Sequence, residues 1–357
     1  MRILMLSWRG PAHPKAGGAE VYTEHLLRRL VEKGHEAEWH SAAYGPDMPS
    51  SHRGIRLTYG ASGMAIYLSG HRYARTAEGF DILVDQMNVF GFLTPLIRKP
   101  SIALIHQLAD NVWEAETSPP VSWIGKGLER GMLQLYKDSP YITVSPSTDE
   151  DLRGAGWRGP GFLVPNGIDI AEAAYAKTPH PTLVFLARFG AKAKRLDHAV
   201  RIFEKVRKAY PETELWIIGR GQAPEWLQPD EKIKIYQGVS DEERDRLIGE
   251  AWCCIATSVR EGWGRMVLES AMFRTPSVVY DVHGLRDAVI HGKTGYIVPE
   301  DPEAAAERIR ELFADPRLLK RLGHEAREHA ETFTWARSVA AFEEALERVI
   351  GAKTKTP

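Results

Sequence analysis

"TLVFLARFGAKAKRLDHAV", residues 182–200, passes from an apolar, β-branched run through a basic loop into a helical pattern. Short runs of this type, bounded by loop residues, read as strands, and the 3.6-residue spacing that follows reads as a helix. The same unit recurs in both directions along the chain. Before it lie "RILML" (2–6), "DILVDQ" (81–86), "SIALIH" (101–106) and "YITVS" (141–145), and after it "ELWIIG" (214–219), "IKIYQG" (233–238), "CCIATS" (253–258) and "PSVVYD" (276–281). Helical stretches separate them, as in "AEVYTEHLLRRLVEKG" (19–34), where Val21, Leu26, Leu27 and Leu30 share a face and Gly34 supplies the stop. Alternation of strand and helix means parallel sheets covered on both faces. The pattern fades over "AEAAYAKTPHPT" (171–182), which gathers Pro, Lys and Thr before "TLVFLA" restarts it. Two doubly wound α/β domains are therefore expected, over 1–170 and 171–333, followed by an amphipathic helix and a polar tail over 334–357. Two such domains facing across a cleft would place ligands beyond the carboxyl ends of their strands.

Composition narrows the function. The 357 residues are 43% apolar and 26% charged, with a formal net charge of -1. A dedicated nucleic-acid binder needs a basic surplus, so that class is excluded. No stretch is apolar for long enough to span a bilayer, and "MRILMLSW" is too short for a secretory h-region. The only cysteines, Cys253 and Cys254, are adjacent within a strand, which fits a reducing cytoplasm. A cytoplasmic protein is expected, at most peripheral at the inner membrane face, where Trp123, Lys126 and Arg130 are a weak hint of membrane contact.

The strand-to-helix loops carry the chemistry. "REGWGRMVLE" (260–269) places Glu261 and Glu269 on either side of a Gly-Trp-Gly turn. On one continuous helix they would stand about 12 Å apart along the axis and about 80° around it, whereas glycosidase carboxylate pairs work at about 5–9.5 Å. Gly262 and Gly264 suit a tight turn instead, with the helix beginning at "RMVLESAMF" and free amide groups between the glutamates. Amides of this kind at a helix start form an anion site. Two carboxylates gripping sugar diols with a phosphate between them is one reading; a solvated turn glutamate and a helix-surface glutamate is the other. The basic loop after "TLVFLA" supplies Arg188, Lys192, Lys194 and Arg195, placed to neutralise a diphosphate. "PKAGGAE" (14–20) has Gly17 and Gly18 after the first strand but neither the dinucleotide glycine fingerprint nor a P-loop. His106 ends a strand and projects toward the expected cleft, and Gln107 and Trp113 follow it. The acids of "DED" (149–151) are explained by a capping box between Ser147 and Glu150, and "SDEE" (240–243) reads as another helix cap. No spacing of His, Cys or acids makes a metal site.

Taken together, these motifs resemble the retaining glycosyltransferases of family 4, over nearly the whole chain. "EGWGRMVLE" (261–269) matches the family's E-x7-E motif, followed by "SAMFRTPSVVYDVHGLRDAVIHGKTGYIV" (270–298). "GGAE" (17–20), "EKGHE" (32–36), "VSPS" (144–147), "PNGID" (165–169) and "IIGRG" (217–221) match in the same order. The resemblance implies the GT-B fold, two Rossmann-like domains with the last helix crossing back to the first. It also implies a donor that is a UDP- or GDP-sugar, a hydroxyl acceptor, and no cofactor or metal. Arg188 and Lys194 would hold the diphosphate, Glu269 the ribose hydroxyls and Glu261 the transferred sugar. Gly17, Gly18, Gly219, Gly262, Trp263, Gly264 and Arg265 would line the donor, His106 would sit at the reacting face, and Gln107 and Trp113 would lie toward the acceptor. Trp263 stands where Phe is common, and the larger ring is expected to narrow the donor pocket. Competing readings are a nucleotide-sugar epimerase or hydrolase on the same fold, and a non-catalytic sugar-nucleotide binder. A nicotinamide dehydrogenase is disfavoured by the missing glycine fingerprint.

Overall fold

The computed structural model describes residues 1–169 and 173–353. The expected domain boundary at 170–171 and the polar tail after Lys353 lie outside the described residues. Among the described residues the helices are α1 (Gly18–Glu32), α2 (Ile66–Thr76), α3 (Asp110–Glu116), α4 (Val121–Tyr136), α5 (Pro146–Gly154), α6 (Leu196–Arg207), α7 (Asp241–Glu250), α8 (Arg265–Met272), α9 (Pro302–Ala314), α10 (Pro316–Ala330) and α11 (Trp335–Lys353). They divide between two compact units, one of Met1–Ala109, Pro120–Gly167 and the chain from Thr334, the other of Asp110–Pro119 and Ile168–Phe333.

The first unit holds β1 (Arg2–Leu6), β2 (Glu36–Ala42), β3 (Ser51–His52), β4 (Ile55–Gly60), β5 (Ile82–Met87), β6 (Ser101–Ile105), β7 (Tyr141–Thr143) and β8 (Gly161–Leu163). They form one sheet in the order β3-β4-β2-β1-β5-β6-β7-β8, parallel except for the β3–β4 edge pair. Every residue of β5 is buried, the polar Asp85 and Gln86 included. This follows from helices covering both faces, which leaves no solvent side on which polar residues could alternate. The buried Asp85 carboxylate accepts from the Tyr136 hydroxyl, from Thr94 Oγ1 (2.8 Å) and from the Phe92 amide (3.0 and 3.1 Å), pinning the segment after β5.

Helix α1 starts where the Glu20 carboxylate reaches back to the Gly17 amide (2.6 Å) and stops at Gly34, whose φ of 92° suits only glycine without strain. Tyr22, Leu26, Leu27 and Leu30 form its buried face, and Val21 is only half-buried beside Tyr22. Helix α11 completes this unit: the Trp335 ring stacks on His25 (4.4 Å between centroids), Glu343 pairs with Lys33 and His35, and Ser338 donates to the Pro165 carbonyl (2.7 Å). Gly167 admits the approach, since a Cβ there would stand 2.5 Å from the Trp335 backbone. Helix α5 is capped by Ser145, which accepts from the Thr148 amide, and not by the expected Ser147. Pro146 explains the shift, because its fixed φ and missing N–H favour the first helical position and move the cap one residue ahead of it.

The second unit holds β9 (Thr182–Arg188), β10 (Glu214–Arg220), β11 (Ile233–Gln237), β12 (Cys253–Ala256), β13 (Ser277–Tyr280) and β14 (Gly295–Val298), all parallel, in the order β11-β10-β9-β12-β13-β14. Chain direction across the sheet reverses between β9 and β12, so the loops leaving these two strands flank the switch point where such sheets bind ligands. Both cysteines are free thiols buried in β12, with burial holding Cys254 up at about 11. Helix α3, counted with the first domain on sequence grounds, groups with this second unit. The Glu116 carboxylate accepts from the Ala193 amide (2.8 Å), and Arg260 donates to Asp110 (3.4 Å). These contacts reach across the sequence and leave no periodic trace in it.

Candidate active site

At the switch point of the second unit, β9 ends in Arg188 and β12 leads into the loop that carries Glu261. Among the described residues the exposed Arg188 guanidinium has no hydrogen-bond or ion-pair partner. Lys192–Lys194 forms a short 3-10 turn, and Arg195 follows with φ 49° as the residue before α6. The turn is fastened to the neighbouring loop through Thr257, whose hydroxyl donates to the Lys194 and Arg195 carbonyls (2.9 Å each), and through the Val259 amide bound to the Ala193 carbonyl (2.9 Å). This double clip puts the Lys194 ammonium on Glu261 Oε1, which also accepts from Ser258 Oγ at 2.6 Å. Arg195, grouped with these cations in the sequence, instead pairs with Glu300.

Glu261 is fixed from behind as well. Its amide donates to the His283 carbonyl (3.0 Å), and the Gly264 amide donates to the Gly284 carbonyl (3.0 Å). Gly284, at φ 82°, permits this closeness: a Cβ there would lie 2.1 Å from the Glu261 carbonyl oxygen. The amides between the two glutamates are thus only partly free. Gly264 and Arg265 are bonded locally, whereas Gly262 and Trp263 have no acceptor among the described residues. Helix α8 begins at Arg265, and Glu269 in its second turn accepts from Arg265 Nε at 2.7 Å. The Trp263 ring is buried, 6% exposed, with its edge against Phe333 at 5.1 Å. The larger ring is accommodated inside the second unit. Gly219 is buried near the end of β10, paired with Ala187 and Gln237 in the neighbouring strands.

In the first unit, Gly17 and Gly18 lie where the loop after β1 enters α1, and His106 lies just past the end of β6. Gly17 caps α1, and a Cβ on the exposed Gly18 would meet nothing within 4 Å, so packing does not require glycine at 18. His106 Nε2 lies 3.0 Å from Gln86 Nε2, and its ring meets Tyr22 edge to face at 5.2 Å. The Gln86 amide also donates to the Ala19 carbonyl (3.4 Å), which assigns its nitrogen as the donor and His106 Nε2 as the acceptor. Burial pushes His106 down to about 4, so near neutrality the ring is uncharged with its proton on Nδ1. Gln107 follows in the same loop, half-buried, whereas Trp113 lies on α3 in the second unit.

Sequence reasoning missed Ser258 and Gln86. Ser258 and Gln86 each stand at or just past a strand end, the position that drew attention to His106, but a serine or glutamine there has no distinguishing spacing. Among the described residues no group of three or more His, Cys, Asp or Glu side chains converges as a metal site, and no helix is long and apolar enough to cross a membrane.

The family model described as "Glycosyltransferase Family 4" matches residues 16–172, and that described as "Glycosyl transferases group 1" matches residues 168–329. The chain is 26% identical over 387 aligned positions to the glycogen synthase of Mycobacterium tuberculosis, covering 94% of this chain and 92% of that one. Among solved structures it resembles the sucrose-phosphate synthase of Thermosynechococcus elongatus, with TM-score 0.80, 18% identity and coverage of 98% and 99%. It also resembles HepE of Anabaena, solved in complex with UDP-glucose, with TM-score 0.75, 16% identity and coverage of 98% and 100%. The two family models meet at the boundary between the two parallel sheets, and the chain belongs to the group 1, family 4 glycosyltransferases of GT-B fold.

Proposed function

We propose that this glycosyltransferase moves a hexose from a nucleotide-diphosphate sugar, UDP- or GDP-linked, to a hydroxyl acceptor, with retention of configuration and without a metal. The observation that carries this reading is the cluster of Lys194, Glu261 and Ser258 at the switch point of a doubly wound sheet, with Arg188, unpaired among the described residues, at the end of β9. Arg188 and Lys194 bring two cations to one strand-end crevice, which is the charge that a leaving diphosphate needs. The Gly262 and Trp263 amides, without an acceptor among the described residues, and the start of α8 add donors without charge. Glu261 takes the hydroxyls of the transferred sugar and Glu269 those of the ribose. HepE, bound to UDP-glucose, is consistent with such a donor.

In the transfer, the acceptor hydroxyl forms a bond to the anomeric carbon on the face from which the diphosphate leaves. The bond from that carbon to the phosphate oxygen breaks, and the leaving oxygen takes the hydroxyl proton. No side-chain base is required, which suits a site where Glu261 is held by Lys194 and Glu269 by Arg265. His106, neutral and oriented through Gln86, contributes its Nδ1 proton as a hydrogen-bond donor near the reacting sugar. The protein works in the cytoplasm, where its two thiols stay reduced.

A thermal-shift panel of UDP-glucose, UDP-N-acetylglucosamine, GDP-mannose and a dTDP-sugar, each with magnesium or chelator, tests the donor. A ligand at about 100 times its dissociation constant stabilises by about 2.7 kcal/mol. One donor should shift the transition equally with magnesium and with chelator, and proton NMR of the product should show the donor's anomeric configuration. An inverted product, donor loss without a new glycoside, or a shift that requires magnesium would each overturn the corresponding part of the proposal.

A further inference from the structure

The loop that leaves β1 is basic: residues 7–17 include Arg9, His13 and Lys15 and no acid, in a chain of net charge -1. Its first half is clamped to β2. The Trp39 indole donates to Ser7 Oγ (2.5 Å), Ser7 Oγ to the Arg9 carbonyl (2.5 Å) and the Ala42 amide to the Trp8 carbonyl (3.1 Å), and a Cβ at Gly10 would stand 2.8 Å from Ser41 Oγ. Its second half folds back on the first. Arg9 Nη1 donates to the Lys15 carbonyl (3.1 Å), the Ala16 amide to the His13 carbonyl (2.8 Å) and the Lys15 amide to His13 Nδ1 (2.9 Å). Because Nδ1 accepts, the neutral His13 ring carries its proton on Nε2 as a donor. The Arg9 guanidinium sits over the Trp8 ring, 4.2 Å from its centroid, which fixes the side chain without using its charge.

That charge is left over. Among the described residues neither Arg9 nor Lys15 has an ion-pair partner, and Glu20, the acid within electrostatic reach of His13, accepts from the Gly17 amide. Burial and Arg9, with a smaller share from Lys15, hold His13 below its ordinary value against the pull of Glu20, so the three basic groups stand close enough to feel one another. β1 pairs with β5 and β5 with β6, which puts the loop two strand spacings, about 10 Å, from the strand end that carries His106. At the end of β5, between them, the β-branched Val89 is held at φ 68° in a turn where the Asn88 amide donates to the Phe90 carbonyl (3.1 Å). Backbone strain of this kind gathers at ligand sites. The basic loop runs straight into α1, whose Ala19 carbonyl shares the Gln86 amide with His106.

We propose that Arg9, Lys15 and the His13 Nε2–H form an anion subsite for the acceptor, and that the acceptor is a phosphomonoester of a sugar or polyol whose free hydroxyl reaches toward His106. The inference rests on the transfer reaction proposed above. Two unpaired cations match a phosphate dianion, and the imidazole adds a neutral donor. A carboxylate would leave one cation unmatched, and the donor diphosphate is the poorer occupant because Arg188 and Lys194 are assigned to it.

The full chain with labelled histidines reads the subsite directly, its His13 resonance assigned through His13→Gln. Inorganic phosphate, compared with chloride at equal ionic strength, should raise the pKa of His13, since a bound dianion favours the imidazolium. The rise should persist in Arg188→Ala/Lys194→Ala and vanish in Arg9→Gln/Lys15→Gln, which should keep the parent melting curve. An unmoved His13, or a rise that the second variant retains, would overturn the subsite. The acceptor is tested by transfer to glucose 6-phosphate, glycerol 3-phosphate and inositol 1-phosphate, each beside its unphosphorylated partner. At least one phosphate should be used with kcat/KM about tenfold or more above its partner. Arg9→Gln/Lys15→Gln should remove that advantage through the acceptor KM and leave the donor KM unchanged. Preference for the neutral partners, transfer to none of the phosphates, or a raised donor KM would overturn the acceptor assignment. A His13 response in a chain that transfers sugar from no donor would keep the subsite and break the transfer reading instead.

Discussion

The two units use one architecture for different chemistry. Both are parallel sheets whose direction reverses beside a central strand, β1 in the first and β9 in the second, and both present loops at the carboxyl ends of those strands. In the second unit the loops carry ion pairs, Lys194 on Glu261 and Arg265 on Glu269, and Arg188 stands without a partner among the described residues. In the first, a glycine that packing does not require and a histidine kept uncharged against Gln86 stand in loops that also hold Arg9 and Lys15, which lie near each other through the Arg9 donation to the Lys15 carbonyl. Topology decides where a ligand can bind, and the residues at the strand ends decide which ligand the place suits. The units also differ in how they are closed. The first is completed by α11 from the far end of the chain, whereas the second takes α3 from within the sequence of the first.

The closure difference yields the largest expected effect. Trp335→Ala removes a buried ring that stacks on His25 and meets Tyr22, and it should cost the first unit about 3–5 kcal/mol. Amide exchange should accelerate in α1 and β1 while β9 and β10 keep their protection; equal acceleration in both sheets would erase the distinction between the units.

The charge difference comes next. Glu261→Ala and Lys194→Ala should each lower kcat by about 10²–10³, or about 2.7–4 kcal/mol of transition-state stabilisation, with the melting curve near that of the parent. If His106→Ala costs more than either, the division of labour between the charged Lys194–Glu261 cluster and the neutral histidine is wrong. Ser258→Ala removes one hydrogen bond from the Glu261 carboxylate and should cost about tenfold in kcat/KM. An unchanged value would mean that Lys194 alone orients the carboxylate.

The smallest effects are in pH dependence. Burial depresses His106 and His40 of the first unit to about 4 from an ordinary value near 6.5. Between these values the unfolded chain binds more protons than the folded one, so stability falls as pH drops from 6.5 toward 4. In the second unit, burial depresses Lys177, which donates to the Ala251 carbonyl and to Thr275, to about 7 from 10.5. Its contribution has the same sign in another window, with stability rising as pH goes from 7 to 10.5. Melting curves of His106→Gln should flatten only the acidic limb, and those of Lys177→Met only the alkaline one. A change in the opposite limb would assign the titration to other groups.

Much of this molecule is determined by local pattern. The strand at 182–188, the turn at Gly262 to Gly264 and the helix from Arg265 follow from apolar periodicity and glycine placement, which act over a few residues and are written directly in the chain. So do the doubly wound sheets, because alternating strands and helices admit few other packings. Tertiary structure alone decided which charges meet. Lys194 reaches Glu261 because Thr257 and Val259 clip two loops together across more than sixty residues of sequence, while Arg195, next in the chain, turns to Glu300. Ser258 and Gln86 meet the candidate residues Glu261 and His106 through proximity, and α3 joins the second unit through Glu116 and Arg260. Spacing along α4 does not say which side of that helix faces the core. That required Leu133 and Tyr136 to be seen packed inward with Met87 and Ile105, which leaves Ile124 and Leu128 to the outside. Local pattern is set by backbone preference and by burial along one element, whereas the pairing of side chains depends on distances that exist only after the elements have packed.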